Sequence, residues 1–541
     1  MSADEFRRAG YAAIDYVADY YARLTASADA DAEALAANAS MLPPPIMPVT
    51  PPPDTVFPGY LPPMLPRAVP EQGESWDDVM NDYRTLIEPG LTHWQHPSFY
   101  AYFPGATSLP GIASEILIAA SNTVGFSWAA SPAATELEHV AMDWLARLCG
   151  LPPRFQYFPE DAEGSNGNGN SSSNNGGGGS IQGTSSEAVL VAMLAARARA
   201  MQGRPPEDAL KLVCYGSDQA HSCYAKAARV LGLPPGNARV LACREADGFA
   251  LRGETLRAQL KEDLKQGLIP FFCMATIGTT SSCAVDPVAE LAGVLKEETA
   301  AAAATASPPA PWLHVDAAYA GSFAVLPDER ARHFTSAYDT ADSYSYNPHK
   351  AGLVTFDCCA LWCEDLSAVR DALALTPVFL KARGNEIDFK DLQVPLGRRF
   401  RALKLWSVLR IYGADGLRSH AAHHRSVAAW LARRVASDAR FELAAEPRFG
   451  LVCFRLRDPA TGAGGGGAGE QQSARARKLN EKLLARVNSS GRAFLIHTEL
   501  EGRHTLRAAV GSLNQQPRHV EALWRLLQRE AEAVLAEEEE S

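Results

Sequence analysis

The sequence predicts an α/β protein built on a mostly parallel sheet, with its chemistry at the carboxyl ends of the strands. Two observations carry that expectation. Apolar runs of strand length each give way to a polar loop: Leu210–Tyr215 to Gly216-Ser-Asp-Gln-Ala-His221, Ile269–Thr276 to Gly278-Thr-Thr280, and Trp312–Val315 to Asp316. The residues equipped for chemistry, His221, Thr280, Asp316 and Lys350, fall at or just past such ends, where open α/β sheets place their ligands.

With 541 residues the chain exceeds one ordinary core. Hydrophobic residues make up 47% and charged residues 21%, ordinary for a soluble globular protein. The net charge of −11 lies partly in the tail Glu537–Glu540, and no basic block offers a nucleic-acid surface. No apolar run reaches membrane-spanning length, and the N-terminus lacks an apolar signal core, so no membrane partner and a cytoplasmic location are expected. None of the ten cysteines forms a C-x-x-C pair; buried free thiols explain them better than disulfides or a metal site, and no metal is expected.

In chain order, Asp4–Ala28 places Phe6, Ala9, Ile14, Val17, Tyr20, Tyr21 and Leu24 at helical spacing, an amphipathic helix needing a partner surface, for which a second subunit is one candidate. Pro43–Pro66 is too proline-rich for helix or central strand and reads as an extended arm anchored by Ile46, Val56, Phe57, Tyr60, Leu61 and Leu65. Thr92–Gly105 is dense in aromatic groups, which suit either a core or a pocket for a flat substrate. A helix starts after Ser131, with Pro132 at its first position, and Gly150 ends it.

Glu160–Gly179, Thr299–Pro311 and Thr461–Gly469 are low-complexity stretches read as disordered insertions without chemistry. Gln182-Gly-Thr-Ser-Ser-Glu187 opens the apolar helix Ala188–Ala200. Hydroxyls and a glycine there suit an anion site at a helix N-terminus; an ordinary N-cap with a capping-box glutamate is the alternative. The stretch Ser343–Lys350 reads as a strand running into a loop. An aspartate at one strand end and a lysine past the next is the arrangement a pyridoxal phosphate site requires: the amine forms an imine with the cofactor aldehyde, and the carboxylate keeps the pyridine nitrogen protonated. From about Gly413, helical patterns at Ala421–Val435 and His519–Leu535 enclose strand-like Gly450–Leu456 and Phe494–Glu499, a smaller α+β domain. The expected division is 1–110, an N-terminal helical and proline-rich dimerisation arm; 111–412, a cofactor-binding large domain with insertions near 160–179 and 299–311; and 413–541, a small C-terminal domain with an acidic tail.

These motifs resemble the group II pyridoxal-phosphate decarboxylases of the aromatic L-amino acid type. The resemblance rests on His93-Trp94 with Pro97–Pro104, Gly125–Glu138, Gln182–Glu187, Ser217–His221, Gly278–Thr280, His314–Gly321, Asn347–Lys350 and Pro395–Trp406. It implies a fold-type I, aspartate aminotransferase-like fold and a homodimer with a shared active site. By resemblance, Lys350 is the Schiff-base lysine, Asp316 the partner of the pyridine nitrogen and His221 the imidazole stacked on the ring. Thr184, Ser185, Ser186, Asn347 and His349 resemble the phosphate and neighbouring contacts, while Thr280 and Ala318 lie close to the ring. Trp94, Tyr102 and Phe103 would line the substrate side, and Val124 and Phe126 would reach in from the other subunit. Gly397 falls where the family lines the side-chain pocket and leaves room for a large ring.

Three positions depart from the family pattern. The family carries a tyrosine in a Pro-x-Tyr-Leu-Lys context; here Thr376-Pro-Val-Phe-Leu-Lys381 puts Phe379 there, and no tyrosine lies between Tyr346 and Tyr412 to replace it. The family phenol is thought to protonate Cα after carbon dioxide leaves, and a phenyl ring has no proton to give. The carbanion could then meet dioxygen as a co-substrate, yielding an aldehyde, as in the family's aromatic acetaldehyde synthases. The alternatives are simple decarboxylation to an arylethylamine and a catalytically silent paralogue. Ala351 and Leu392 stand where the family usually has tryptophans.

Overall fold

The computed structural model describes residues 1–37, 41–159, 176–302, 310–375, 388–459 and 474–539. These fall into two compact units, one of residues 106–426 with 445–449, the other of 1–105 with 427–444 and 450–541.

The first unit holds a seven-stranded sheet: β1 (Gly178–Gln182), β2 (Leu212–Ser217), β3 (Ala238–Leu241), β4 (Ile269–Thr276), β5 (Trp312–Asp316), β6 (Ser343–Tyr346) and β7 (Cys359–Cys363), in the order β1-β7-β6-β5-β4-β2-β3. Neighbours from β3 across to β6 pair in parallel, and β7 alone is reversed, antiparallel to both β6 and β1. The parallel strands legible as unbroken apolar runs are buried, because helices cover them. The Ser185–Met201 helix packs Ala188, Val191, Ala192 and Ala195 into a core with Leu212, Phe272, Met274 and Leu361.

Two low-complexity expectations are corrected at their edges. Gly178 and Gly179, assigned above to the first insertion, open β1 and pair with Cys363 and Trp362. A Cβ on Gly178 would sit 2.5 Å from the Tyr157 ring, and one on Gly179 would sit 2.5 Å from Met142 Cε. Glycine is there because the strand is packed too closely for a side chain. Thr299 likewise belongs to the Val288–Ala302 helix, where it is buried and its hydroxyl donates to the Leu295 carbonyl at 2.6 Å. Residues 160–175, 303–309 and 461–469 lie outside the described residues.

The second unit contains an antiparallel sheet, β10-β11-β9-β8, made of β8 (Phe441–Leu443), β9 (Leu451–Leu456), β10 (Ile496–Leu500) and β11 (Arg503–Ala509). Its core joins Val452, Phe454 and Leu506 to Leu479 and Leu483 of the Ala474–Ser489 helix and Leu523 and Leu527 of the Pro517–Glu539 helix. The N-terminal helix runs Ala3–Ala36, longer than its expected end at Ala28, because Ala32 and Leu35 also enter that core. Its start carries a Ser2–Glu5 capping box, while Phe6, Tyr11 and Ile14 remain exposed. In the proline-rich arm the buried anchor is Val49, whose N–H donates to the Gly491 carbonyl at 2.8 Å; Ile46 and Phe57, expected as anchors, are exposed.

Candidate active site

Parallel pairing brings the chemistry together. Asp316 ends β5 opposite Ser345 of β6 and Thr276 of β4. The loops beyond are stitched by backbone bonds: Ala317 N–H donates to Ser345 O at 2.9 Å, and Asn347 N–H to Ala318 O at 3.0 Å. Asp316 is 3% exposed, and its Oδ1 accepts from the Ala318 N–H at 2.9 Å. Lys350 closes a turn through its N–H to Asn347 O, 2.9 Å. Burial lowers the pKa of its amine, with the Asp316 charge pulling the other way. Lowering an amine's pKa enriches the neutral form that attacks a carbonyl. The thiols of Cys223, Cys283 and Cys359 face the same charge, but all three cysteines are buried, and burial pushes the Cys223 and Cys359 thiols up, away from the reactive thiolate.

Two imidazoles have their tautomers set by the backbone. His221 Nδ1 accepts from Cys223 N–H at 3.1 Å, and His349 Nδ1 accepts from Cys358 N–H at 2.8 Å. Each neutral ring therefore carries its proton on Nε2. Desolvation lowers the His221 pKa, opposed by Asp316 and reinforced by Lys350; burial brings His349 down to about 4. His221 thus presents an uncharged aromatic face and His349 a neutral N–H donor.

Thr184 is the extended N-cap of the Ser185–Met201 helix, and its side chain makes no cap bond to that helix. The glutamate half of the expected capping box is altered as well: Glu187 Oε2 accepts from Gly183 N–H at 2.8 Å, one residue before the cap. A helix N-terminus with an uncommitted cap hydroxyl suits an anion. Ser185 Oγ donates to Asn347 Oδ1 at 2.9 Å, linking this end to the lysine loop. A brace unseen in the sequence lies behind it. A Cβ on Gly183 would be 3.2 Å from Asp357 Oδ2, and Asp357 is held by both Arg401 Nε and Nη2 at 3.0 and 2.9 Å. Thr280 sits exposed on a loop closed by Gly278 N–H to Ala284 O, 2.9 Å, while Ala318 is buried.

The remaining expected residues are placed as follows. Val124 is exposed and Phe126 half-buried in the segment before the Pro132–Cys149 helix. Gly397 is exposed, with nothing within 4 Å of where its Cβ would stand. Trp94, Tyr102 and Phe103 belong to the second unit; the Trp94 and Tyr102 rings stack at 5.4 Å and 9°, and Phe103 is buried under the Arg507 guanidinium. Phe379 lies outside the described residues. Ala351 lines a small cavity of about 20 Å³ together with Leu145, Val325, Tyr346, Val408, Leu417 and His420. Leu392 is fully buried against the sheet. Among the described residues no group of three His, Cys, Asp or Glu side chains could hold a metal ion, and no helix is long and apolar enough to cross a membrane.

An amine, a carboxylate at the neighbouring strand end, a neutral imidazole and an anion-ready helix N-terminus together fit pyridoxal phosphate. Comparison with known proteins agrees. Residues 58–457 match the model of the pyridoxal-dependent decarboxylase conserved domain. The chain is 41% identical to tryptophan decarboxylase 2 of Oryza sativa subsp. japonica over 99% of its own length and 96% of that protein's. It is 39% identical to phenylacetaldehyde synthase of Arabidopsis thaliana, covering 99% and 97%. It superposes on the crystal structure of Oryza sativa TDC with PLP and tryptamine with a TM-score of 0.85 at 36% identity, covering 99% of each chain. The chain belongs to the pyridoxal-dependent decarboxylase family, a carboxy-lyase with the fold-type I architecture and pyridoxal phosphate as its cofactor.

Proposed function

We propose that this enzyme acts on an aromatic L-amino acid and that its main reaction is decarboxylation-dependent oxidative deamination. Substrate, dioxygen and water would give an aromatic acetaldehyde, carbon dioxide, ammonia and hydrogen peroxide. The observation that carries this reading is Phe379 in Thr376–Lys381, where the family has a tyrosine. Pyridoxal phosphate, when bound, supplies the electron sink for the pair left at Cα as carbon dioxide departs. Lys350 offers the amine that anchors it. The Asp316 carboxylate keeps a proton on the ring nitrogen by charge pairing. His221 lays a neutral ring against the cofactor, Thr280 and Ala318 flank it, and Thr184, Ser185, Ser186, Asn347 and His349 hold its phosphate end. Phe379 has no proton to return to Cα, which leaves dioxygen time to react.

We assign substrate binding to Trp94, Tyr102, Phe103 and Gly397. In a cytoplasmic homodimer, with residues 1–110 as the dimerisation arm, Val124 and Phe126 serve the partner's site. The exposure of Val124 and of Phe6, Tyr11 and Ile14 supports a covering partner surface. The competing reading is simple decarboxylation to an arylethylamine, favoured by the likeness to tryptophan decarboxylase 2.

The deciding experiment supplies tryptophan, tyrosine, phenylalanine or DOPA with pyridoxal phosphate and quantifies amine, aldehyde and peroxide together. Aldehyde and peroxide are expected to exceed amine, and Phe379→Tyr should move the product toward amine. Amine as the dominant wild-type product, without peroxide, refutes the oxidative reading. Lys350→Ala should lose the visible absorbance of the bound cofactor; a wild type without that band would instead indicate a catalytically silent protein.

A further inference from the structure

A buried ion pair outside the cofactor residues joins the elements assigned to the substrate side. Arg398 and Glu138 are 2% and 4% exposed at their side chains, and Arg398 Nη2 donates to Glu138 Oε1. The other arm of the guanidinium, Nη1, donates to Gln393 Oε1 at 2.6 Å. Gln393 in turn donates through Nε2 to the Pro395 carbonyl at 2.6 Å, folding the turn that presents Gly397. The guanidinium also lies 4.5 Å from the centroid of the Phe389 ring. Backbone bonds reach the segment that carries Phe126: Gly125 N–H donates to Arg398 O at 3.1 Å, and Lys390 N–H to Phe126 O at 2.9 Å. Trp128 N–H adds a bond to Asp388 Oδ1 at 3.1 Å.

The pair also touches the cofactor side. Glu138 Oε1 accepts from Ile181 N–H at 2.7 Å, and Gln182 Nε2 donates to Leu392 O at 2.9 Å. Both residues lie on β1, which delivers Gly183 and Thr184 to the anion end. A buried ion pair is weak evidence of stabilisation, because desolvating two charges offsets most of their attraction. What the pair supplies is direction: a planar guanidinium fixes two acceptors at set angles, and one carboxylate oxygen spans a helix, a strand and a turn.

We propose that Glu138 and Arg398 are positioning residues for the substrate, tying the turn of Gly397 to the segment that carries Phe126 toward the partner's site and holding both at a fixed offset from the anion loop. The inference rests on the substrate-side assignment of Gly397 and Phe126.

Single variants separate the two ends of the device. In Glu138→Gln the amide oxygen still accepts from Ile181 N–H, but Arg398 loses its counter-charge. Cofactor affinity, read by absorbance titration, should stay within about twofold. KM should rise roughly tenfold, more than kcat falls, and the ratio of kcat/KM for tryptophan over phenylalanine should change, since small displacements of a positioned turn act strongly on substrate orientation. Glu138→Leu removes both contacts and should weaken cofactor binding too. Arg398→Lys keeps the charge without the fork and should reproduce the KM effect; it carries the test if Glu138→Gln does not fold. Gly397→Val probes the substrate-side assignment itself. If Gly397→Val shifts the tryptophan/phenylalanine ratio while Glu138→Gln and Arg398→Lys change only thermal stability, the positioning role is overturned. If Gly397→Val leaves the ratio unchanged, the substrate-side assignment fails first and the inference falls with it. Loss of cofactor affinity in Glu138→Gln as large as in Glu138→Leu also overturns it.

Discussion

Replacing Gly179 with alanine tests whether the end of a glycine-rich tract is a buried strand feeding the active site. The added methyl would lie 2.5 Å from Met142 Cε and 2.6 Å from Trp362 Cδ1. Ordinary contact begins near 3.4 Å, so both neighbours must retreat by almost 1 Å. Met142 Cε ends a flexible side chain and can give way, whereas the Trp362 ring is fully buried and wide. Overpacking of this kind typically costs about 1–3 kcal/mol. A control comes from Gly293 in the Val288–Ala302 helix, where an added Cβ meets nothing within 4 Å. There alanine should stabilise by about 0.5–1 kcal/mol through backbone entropy and helix propensity. Thermal unfolding of both variants should move in opposite directions, with Gly179→Ala several degrees below wild type. Because β1 runs straight into Gly183 and Thr184, Gly179→Ala should also weaken binding of pyridoxal phosphate. A Gly179→Ala protein as stable as Gly293→Ala, with unchanged cofactor affinity, would refute the strand.

Two further outcomes follow from the site. Burial depresses His349 from 6.5 to about 4, so between those values the unfolded chain binds more protons. The contribution is complete above pH 6.5 and is lost as the pH falls toward 4, at most about 3 kcal/mol; thermal unfolding of the cofactor-free protein should show that acid loss, reduced in His349→Gln. Ala351→Val should fill much of the small cavity behind the lysine turn and raise thermal stability by up to about 1 kcal/mol; a lowered unfolding temperature would mean that the space is not open to a larger side chain.

Much of the fold was legible because burial writes a local pattern. β4 and β5 are covered on both faces, so they appear as continuous apolar runs with nearly the expected limits. β1 was hidden because close packing selected glycine, which also marks low complexity. β11 was hidden because Arg503, His504 and Arg507 are buried within it, and charge reads as surface. The N-terminal helix ran past its expected end because Ala32 and Leu35 find partners far along the chain.

The site divides in the same way. Parallel strands all point their carboxyl ends to one edge, so a residue's place just after a strand is enough to group Lys350, Asp316 and His221, and sequence alone determined that group. The identity of residue 379 is also purely a matter of sequence. Tertiary structure decided what orients these groups. The backbone N–H groups of Cys223 and Cys358 choose the histidine tautomers, Asp357 and Arg401 brace the glycine loop from 44 residues apart, and Glu138 meets Arg398 across 260. A charge leaves no periodic trace of its partner, because the partner is set by how whole elements pack and not by spacing along the chain.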